Sequence, residues 1–202
     1  MPVGIQIALQ SPLGMRTAAG TGQVRHHDDV EMTPSDRPMP AGDHELGTVS
    51  ITLVADESQV QRVLPLLRAY CDFYHAAPPD ESLLSMARAL ITDPAHEGVH
   101  FLATERGTDV GFATLFWSWE TTIATRVGVM NDLYVAPESR GRGVSSALIE
   151  ACLQRCREHG ASRMIWQTAL DNVRAQAVYD HVGATRERWL DYWLDTAGRR
   201  HR

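Results

Sequence analysis

The stretch that decides the fold reads LYVAPESRGRGV and occupies residues 133–144. A β-branched, apolar run ends in a short turn, and two glycines and two arginines follow where a helix begins. Glycine permits close backbone approach, and the first turn of a helix leaves amide N–H groups unpaired at the positive end of its dipole. The stretch therefore predicts either a diphosphate-binding turn or an ordinary glycine-rich connection. Its spacing is neither that of a P-loop nor that of a dinucleotide G-x-G-x-x-G turn.

Periodic segments extend from this turn in both directions. Apolar residues after it recur at helical spacing and predict a helix from about Gly141 to His159, ended by Gly160. Asp56 and Asp80 are expected to cap two earlier helices. The order β-α-α-β-β-β-α-β-α-β predicts an α/β protein in which helices flank a mixed sheet on both faces. The predicted strands are Ser50–Val54, Val99–Thr104, Val110–Trp119, Val127–Val135, Arg163–Thr168 and Arg188–Leu194, and the other helices lie before Pro78-Pro79, over Glu81–Ile91 and over Asn172–His181.

The first 47 residues differ from the rest of the 202-residue chain. They are rich in small and polar residues and have little apolar periodicity, so they cannot bury enough apolar surface to offset the entropy of ordering. We expect a disordered extension over residues 1–47 and a single domain over residues 48–202. The histidines and aspartates of residues 26–29 have no second ligand group to support them, so no metal site is predicted.

Charge and cysteine usage narrow the class of protein. A net charge of −6 disfavours a nucleic-acid partner. No run reaches the roughly 18 apolar residues of a membrane span, so no membrane partner is expected. Cys71, Cys152 and Cys156 do not form a disulfide framework, and Cys152 and Cys156 stand one helical turn apart in an apolar pattern. We interpret the cysteines as buried free thiols, which indicates a cytoplasmic location.

A second informative segment runs from Trp166 to Ala184. It predicts a strand, a polar turn, a helix capped by Asp171 or Asn172, and a glycine stop. Tyr179 lies two turns beyond Asn172 on the same helical face. Its phenol can donate a proton to a departing thiolate, or it can be a core tyrosine bonded to a backbone carbonyl.

Together the two segments resemble the GNAT superfamily of N-acetyltransferases. The resemblance is densest over residues 131–184, and its motifs are closest to those of the branch that acetylates histone tails, polyamines and amino acids. The pyrophosphate signature Arg/Gln-x-x-Gly-x-Gly/Ala matches at Arg140 and Gly143 and departs from the pattern at Ser145. The resemblance implies a GNAT fold with acetyl-CoA as cosubstrate, and Tyr179 as the acid that protonates the CoA sulfur. The cofactor contacts it implies are Leu133, Val135, Arg140, Gly141, Arg142, Gly143, Val144, Ser145 and Asn172.

Three groups are candidates for removing the proton from the amine: the carboxylate of Asp132, the carboxylate of Glu120, or a chain of water molecules with no single base. Asp132 lies on the strand before the turn, where its neighbour Asn131 cannot act as a base. Strict alternation along that strand would place Asn131 and Asp132 on opposite sheet faces. Glu120, at the end of an aromatic strand, is the competing carboxylate.

Aromatic residues and a carboxylate are expected to line the acceptor pocket, where cation–π contact and charge suit an amine. The residues are Tyr70, Asp72, Tyr74, Trp117 and Trp119. Aromatic residues at such spacing also occur as ordinary core.

The leading hypothesis is an N-acetyltransferase that transfers acetyl directly to a primary amine of a small molecule or peptide within a ternary complex. No cysteine is placed as an acyl carrier. The alternative is a CoA-binding regulatory module without turnover, motivated by Ser145 and Asn131. The resemblance also allows a homodimer.

Overall fold

The computed structural model describes residues 49–192, 194 and 196. Five strands and four helices alternate in the predicted order, apart from the last strand. They are β1 (Val49–Leu53), α1 (Glu57–Phe73), α2 (Asp80–Thr92), β2 (Gly98–Glu105), β3 (Thr108–Glu120), β4 (Thr125–Val135), α3 (Val144–Glu158), β5 (Met164–Ile165) and α4 (Val173–His181). The expected extension over residues 1–47, with the polar cluster at 26–29, lies outside the described residues.

The last predicted strand was wrong, and the one before it was overextended. Residues 188–192 and 194 lie in no strand, although their alternating pattern favours one. β5 comprises only Met164 and Ile165, so it offers a short edge to any further strand.

Local signals fix the ends of the first helices. Asp56 caps α1, as predicted, because its carboxylate accepts a hydrogen bond of 2.9 Å from the amide of Gln59. α1 ends at Phe73, before the two prolines, and His75 follows with a φ of 55°. Asp80 does not cap α2 as expected. Pro79 occupies the cap position, and Asp80 is the first helical residue.

The sheet has the strand order β1-β2-β3-β4-β5. The first four strands are antiparallel, and β5 runs parallel to β4. Only Gly128 and Val129 of β4 pair with β5. Within the described residues, residues 130–135 of β4 therefore have no strand partner on that side, and this side of the stretch is called the gap beside β4 below.

Helices cover both faces of the sheet, which confirms the predicted mixed α/β architecture. α1 and α2 pack on one face around Leu102 and Phe112. α3 packs on the other face around Leu115 and Leu148, and α4 joins this face through partly buried side chains. No helix among the described residues has the length and apolar character needed to cross a bilayer.

The cysteines are free thiols. Cys152 and Cys156 are buried in the core on the α3 face, and Cys71 is partly buried on α1. This matches the interpretation of the pair in α3 as core residues.

Candidate active site

The glycine turn between β4 and α3 has the backbone conformation that the sequence suggested. Gly141 and Gly143 have φ values of 78° and 82°, which residues with a side chain rarely adopt. A Cβ atom at either position would meet no atom within 4 Å. Glycine is therefore needed here for its dihedral angle, and space would not exclude a larger residue.

The N-terminus of α3 opens directly from this turn. The helix begins at Val144, three residues later than expected, with Gly143 as its cap residue and without a side-chain cap. The first intrahelical bond to Gly143 comes from the amide of Ala147, at 3.0 Å. The amides of Val144, Ser145 and Ser146 precede that bond, so they are available to an anion at the positive end of the helix dipole.

The two arginines of the turn bind protein groups. Arg140 Nε donates to the carbonyl of Val135 at 2.8 Å. Arg142 Nη1 donates to Glu105 Oε2 at 2.7 Å, and its Nη2 donates to the carbonyl of Glu138. Both side chains thus brace the turn, whereas the resemblance implied cofactor contacts for them. Sequence reasoning missed Glu105, since it stands 37 residues away from Arg142.

The turn and the gap beside β4 lie next to each other and fit a long, phosphate-bearing cofactor. The turn supplies unpaired amides and an exposed backbone. The edge of β4 that lacks a strand partner supplies the backbone groups of Leu133 and the amide of Val135, whose carbonyl already accepts from Arg140. An extended amide-containing chain could pair along this edge as a strand does.

α4 carries Tyr179, which packs against the core on the α3 face of the sheet. Asn172 caps this helix, because its side-chain oxygen accepts from the amide of Ala175 at 3.2 Å. The Tyr179 ring is half-buried and packs edge-on against Trp166, with a centroid distance of 5.3 Å. Burial and, as a smaller effect, the nearby Tyr74 together raise the pKa of Tyr179 to about 12. The phenol is therefore a proton donor throughout the neutral range.

Asp132 is a buried carboxylate with three hydrogen-bond donors. Asn131 Nδ2 donates to its Oδ1 at 3.0 Å, and the hydroxyls of Thr114 and Tyr70 donate to it as well. Burial raises the pKa of Asp132, and the three donors oppose that rise.

A β-bulge brings Asn131 and Asp132 together. In the β3–β4 register Thr114 lies opposite Asp132 and Leu115 lies opposite Met130, so Asn131 has no partner. The expected strict alternation was therefore wrong here, and the two side chains meet instead of lying on opposite faces.

Glu120 lies away from this cluster. It is buried in an ion pair with Arg163, whose Nε lies 2.7 Å from Oε2, and Thr122 donates to Oε1 at 3.1 Å. Glu120 lies six positions beyond Thr114 on β3, which is roughly 20 Å of extended strand. The structure does not bring the two predicted carboxylates together.

The tyrosines of the predicted acceptor pocket lie at the C-terminal end of α1. Tyr70 packs edge-on against Tyr74, with ring centroids 5.0 Å apart, and against Tyr134 at 6.3 Å. Asp72 is exposed on the same helical turn. Tyr70 touches Asp132, and Tyr74 acts electrostatically on Tyr179. The end of α1 therefore lies close both to the carboxylate of Asp132 and to the phenol of Tyr179.

The two tryptophans of the predicted pocket lie elsewhere. Trp117 is core on the α3 face, stacked on His159 at 3.8 Å, and its Nε1 donates to the carbonyl of Pro94. Trp119 is exposed beside Arg126, whose guanidinium carbon lies 4.6 Å from the ring centroid. The structure separates both from Tyr70, which packs on the opposite face of the sheet.

Three comparisons with known proteins agree on one family. Residues 63–184 match the family model described as the acetyltransferase (GNAT) family. An uncharacterized N-acetyltransferase of Bacillus subtilis is 28% identical over 129 residues, which are 64% of this chain and 85% of the relative. The D-amino-acid N-acetyltransferase of Saccharomyces cerevisiae is 32% identical over 113 residues, 56% of this chain and 70% of the relative. The crystal structure of a probable acetyltransferase matches with a TM-score of 0.64 at 28% identity, covering 74% of this chain and 99% of that one.

Proposed function

We propose, from the premise that this chain belongs to the acetyltransferase (GNAT) family, that it acetylates the primary amine of a small, amino-acid-like molecule by direct transfer in a ternary complex. The chain is an N-acetyltransferase of EC class 2.3.1, and acetyl-CoA is its cosubstrate. Because the chain is an N-acetyltransferase, we reject the alternative of a regulatory module without turnover.

The cofactor site follows from the turn and the gap. Acetyl-CoA supplies an acetyl group activated as a thioester. The amides at the start of α3 would hold its pyrophosphate, with Gly141 and Gly143 setting the path of the backbone. Leu133 and Val135 would pair with the pantetheine arm through their backbone groups, and the side-chain nitrogen of Asn172 is the group on α4 that we propose for a cofactor contact.

The observation that carries the proposal is the position of Asp132 between the sheet and the end of α1. An amine must lose a proton before it attacks, and Asp132 Oδ is a buried acceptor beside Tyr70. Burial raises its pKa, which makes it a stronger base than an ordinary carboxylate, and its three donors favour the ionised form. Glu120 is excluded from our assignment because Arg163 binds it at a distant place on β3.

Tyr179 is the proposed acid. Its half-buried phenol stays protonated at neutral pH, and we assign it to the side of β4 that would hold the thioester. It would hold its proton at Oη until a thiolate forms within reach and then donate it.

The acceptor class rests on the end of α1. The exposed carboxylate of Asp72 would attract an ammonium group, and Tyr70 and Tyr74 present ring surfaces beside Asp132. A relative named for D-amino acids supports an amino-acid-like amine over a protein substrate. Trp117 and Trp119 are not part of this assignment.

The test measures thiol release from acetyl-CoA with D-amino acids, L-amino acids, spermidine and a short peptide as acceptors. We expect turnover of an amino acid and initial-velocity lines that intersect. Parallel lines would contradict direct transfer, and turnover of the peptide or spermidine alone would contradict the acceptor class.

Asp132→Asn provides the second arm. We expect kcat/KM to fall about 100-fold or more, with acetyl-CoA affinity by calorimetry within about twofold of the wild type. Asp109→Asn removes another hydrogen-bonded aspartate, which binds Arg62 on the surface, and should keep full activity. Full activity of Asp132→Asn would overturn the assignment of the base.

A further inference from the structure

A row of three polar side chains crosses three adjacent strands and ends at Asp132. His100 on β2 lies directly opposite Thr114 on β3, and Thr114 lies directly opposite Asp132 on β4. His100 Nδ1 is 3.1 Å from Thr114 Oγ1, and the Thr114 hydroxyl bonds the Asp132 carboxylate. All three side chains are buried, and His100 and Thr114 are fully inaccessible to solvent.

From this row we propose that His100 is a positioning residue for the general base. It orients the Thr114 hydroxyl, and this hydroxyl holds the carboxylate of Asp132 ionised and in place. The inference deepens the proposed function, since it depends on Asp132 as the base.

The direction of the hydrogen bonds follows from the number of protons available. A carboxylate only accepts, so the single hydroxyl proton of Thr114 points to Asp132. The oxygen of Thr114 then accepts from His100, which must carry its proton on Nδ1. His100 Nε2 is buried and has no hydrogen-bond partner among the described residues. A bare acceptor is better tolerated there than an unpaired N–H, which favours the same tautomer.

Burial keeps the imidazole neutral, because it lowers the pKa of His100 to about 4 against the opposing effect of a hydrogen bond to the backbone of Ala113. The ring of Phe112 lies at a centroid distance of 6.2 Å and carries no charge. His100 therefore acts as a fixed donor across the working pH range. A hydroxyl without such a donor could rotate away from the carboxylate.

Other titratable groups also face Asp132. Tyr70 and Cys71 approach it from α1, and Asn131 donates to it from its own strand. Burial raises the pKa of Tyr70 and of Cys71, so both stay neutral at the pH values that matter here. Changes in the ionisation of Asp132 upon substitution of His100 can then be attributed to the row through Thr114.

The primary test follows the titration of the Asp132 carboxyl carbon by NMR in the full chain, which needs no amine. We expect the titration midpoint of Asp132 to move upward in Thr114→Val and, by a smaller amount, in His100→Leu. His100→Asn should restore the wild-type midpoint, since its amide can replace the Nδ1–H donor. In the Thr114→Val background, His100→Leu should not move the titration midpoint of Asp132 any further.

Kinetics provide a readout that a role in packing alone would not move. In Thr114→Val the acid limb of the kcat/KM profile should shift upward, so that kcat/KM at its acidic end falls about tenfold while the plateau is retained. The acceptor is the amino acid that the wild type acetylates fastest in the panel above. Thr114→Ser, which retains the hydroxyl, is the matched control and should keep the wild-type profile.

Three outcomes would overturn the inference. They are an unchanged Asp132 midpoint in His100→Leu, an equal shift in the presence and absence of the Thr114 hydroxyl, and failure of His100→Asn to restore the midpoint. If His100→Leu does not fold, His100→Gln replaces it, because its longer amide reaches the Nε2 position and should raise the midpoint. If the midpoint moves but Asp132→Asn keeps full activity, the role of His100 in the row is supported and the assignment of Asp132 as the base is refuted. Failure of this inference and failure of the proposed function can therefore be distinguished.

Discussion

Arg142 Nη1 lies 2.7 Å from Glu105 Oε2, and this ion pair joins the glycine turn to the end of β2. The Glu105 side chain is 9% exposed and that of Arg142 is 47% exposed, so one partner is anchored in the protein and the other reaches it from the surface. Arg142 also binds the carbonyl of Glu138 within its own turn. The pair therefore fixes the turn in front of α3 in addition to neutralising a buried carboxylate.

Removing this anchor should weaken cofactor binding. Glu105→Gln is expected to raise the KM for acetyl-CoA about fivefold with little change in kcat, because the turn loses one charge-assisted hydrogen bond. Steady-state kinetics with acetyl-CoA varied measure the effect. Glu150→Gln breaks a pair with Arg157 further along α3 and should change neither constant. A lower KM would mean that Glu105 competes with the pyrophosphate for Arg142.

Alanine at Gly143 should separate the cofactor role of the turn from its cost in stability. Gly143 and Gly160 have similar φ values, 82° and 76°, and neither has an atom within 4 Å of an added Cβ. Each substitution should cost roughly 1 kcal/mol of unfolding free energy. Only Gly143→Ala should also weaken acetyl-CoA binding, about tenfold by calorimetry. Equal affinity in the two variants would remove the turn from the cofactor site.

The competing carboxylate can be tested directly. Glu120→Gln should lower the unfolding free energy, because it leaves the Arg163 guanidinium without its buried partner. Its kcat/KM should stay within about twofold of the wild type at a temperature where both are folded. Thermal denaturation and steady-state kinetics on the same sample measure the two effects. A large loss of kcat/KM without a loss of stability would support Glu120 as the general base.

Tyr179→Phe should lower kcat about 100-fold or more if the phenol is the acid. The pKa of Tyr179 lies near 12 because the side chain is buried, so the wild-type kcat should not fall near pH 10, where an ordinary tyrosine ionises. A pH profile of kcat measures this. Tyr192→Phe changes an exposed tyrosine and should behave as the wild type. A basic limb centred near pH 10 that disappears in Tyr179→Phe would contradict the effect of burial.

Much of the fold could be predicted from the sequence because its signals are local. Helical and strand periodicity placed nine of the ten predicted elements, and a capping aspartate located the start of α1. The glycine turn was recognised because positive φ angles require glycine at Gly141 and Gly143. Among the described residues, 188–192 and 194 alternate yet lie in no strand. Alternation indicates that a segment can form a strand, but a neighbour with a free edge must be present to pair with it.

The site was less predictable because its contacts depend on register. The bulge at Asn131 arises from the pairing of β3 with β4, and alternation along β4 alone gave the wrong relation between Asn131 and Asp132. Trp117 was predicted as a pocket residue and Glu120 as a candidate base, but Trp117 packs in the core on the α3 face and Glu120 binds Arg163. Neither contact can be inferred from the strand pattern. His100 was missed since its partner Thr114 becomes adjacent only when β2 pairs with β3.

The buried state of His100 should make stability depend on pH in a defined window. Burial lowers the pKa of His100 from 6.5 to about 4, so between these values the unfolded chain binds a proton that the folded chain does not. The contribution is complete above pH 6.5 and is lost as the pH falls towards 4, about 3 kcal/mol in total. Urea denaturation of the wild type and of His100→Asn across this window measures the difference. The wild type should lose more unfolding free energy than the variant, while His181→Asn, an exposed control on α4, should follow the wild type. Parallel curves for the wild type and His100→Asn would mean that the pKa of His100 is the same in the folded and unfolded chains, which would contradict the effect of burial.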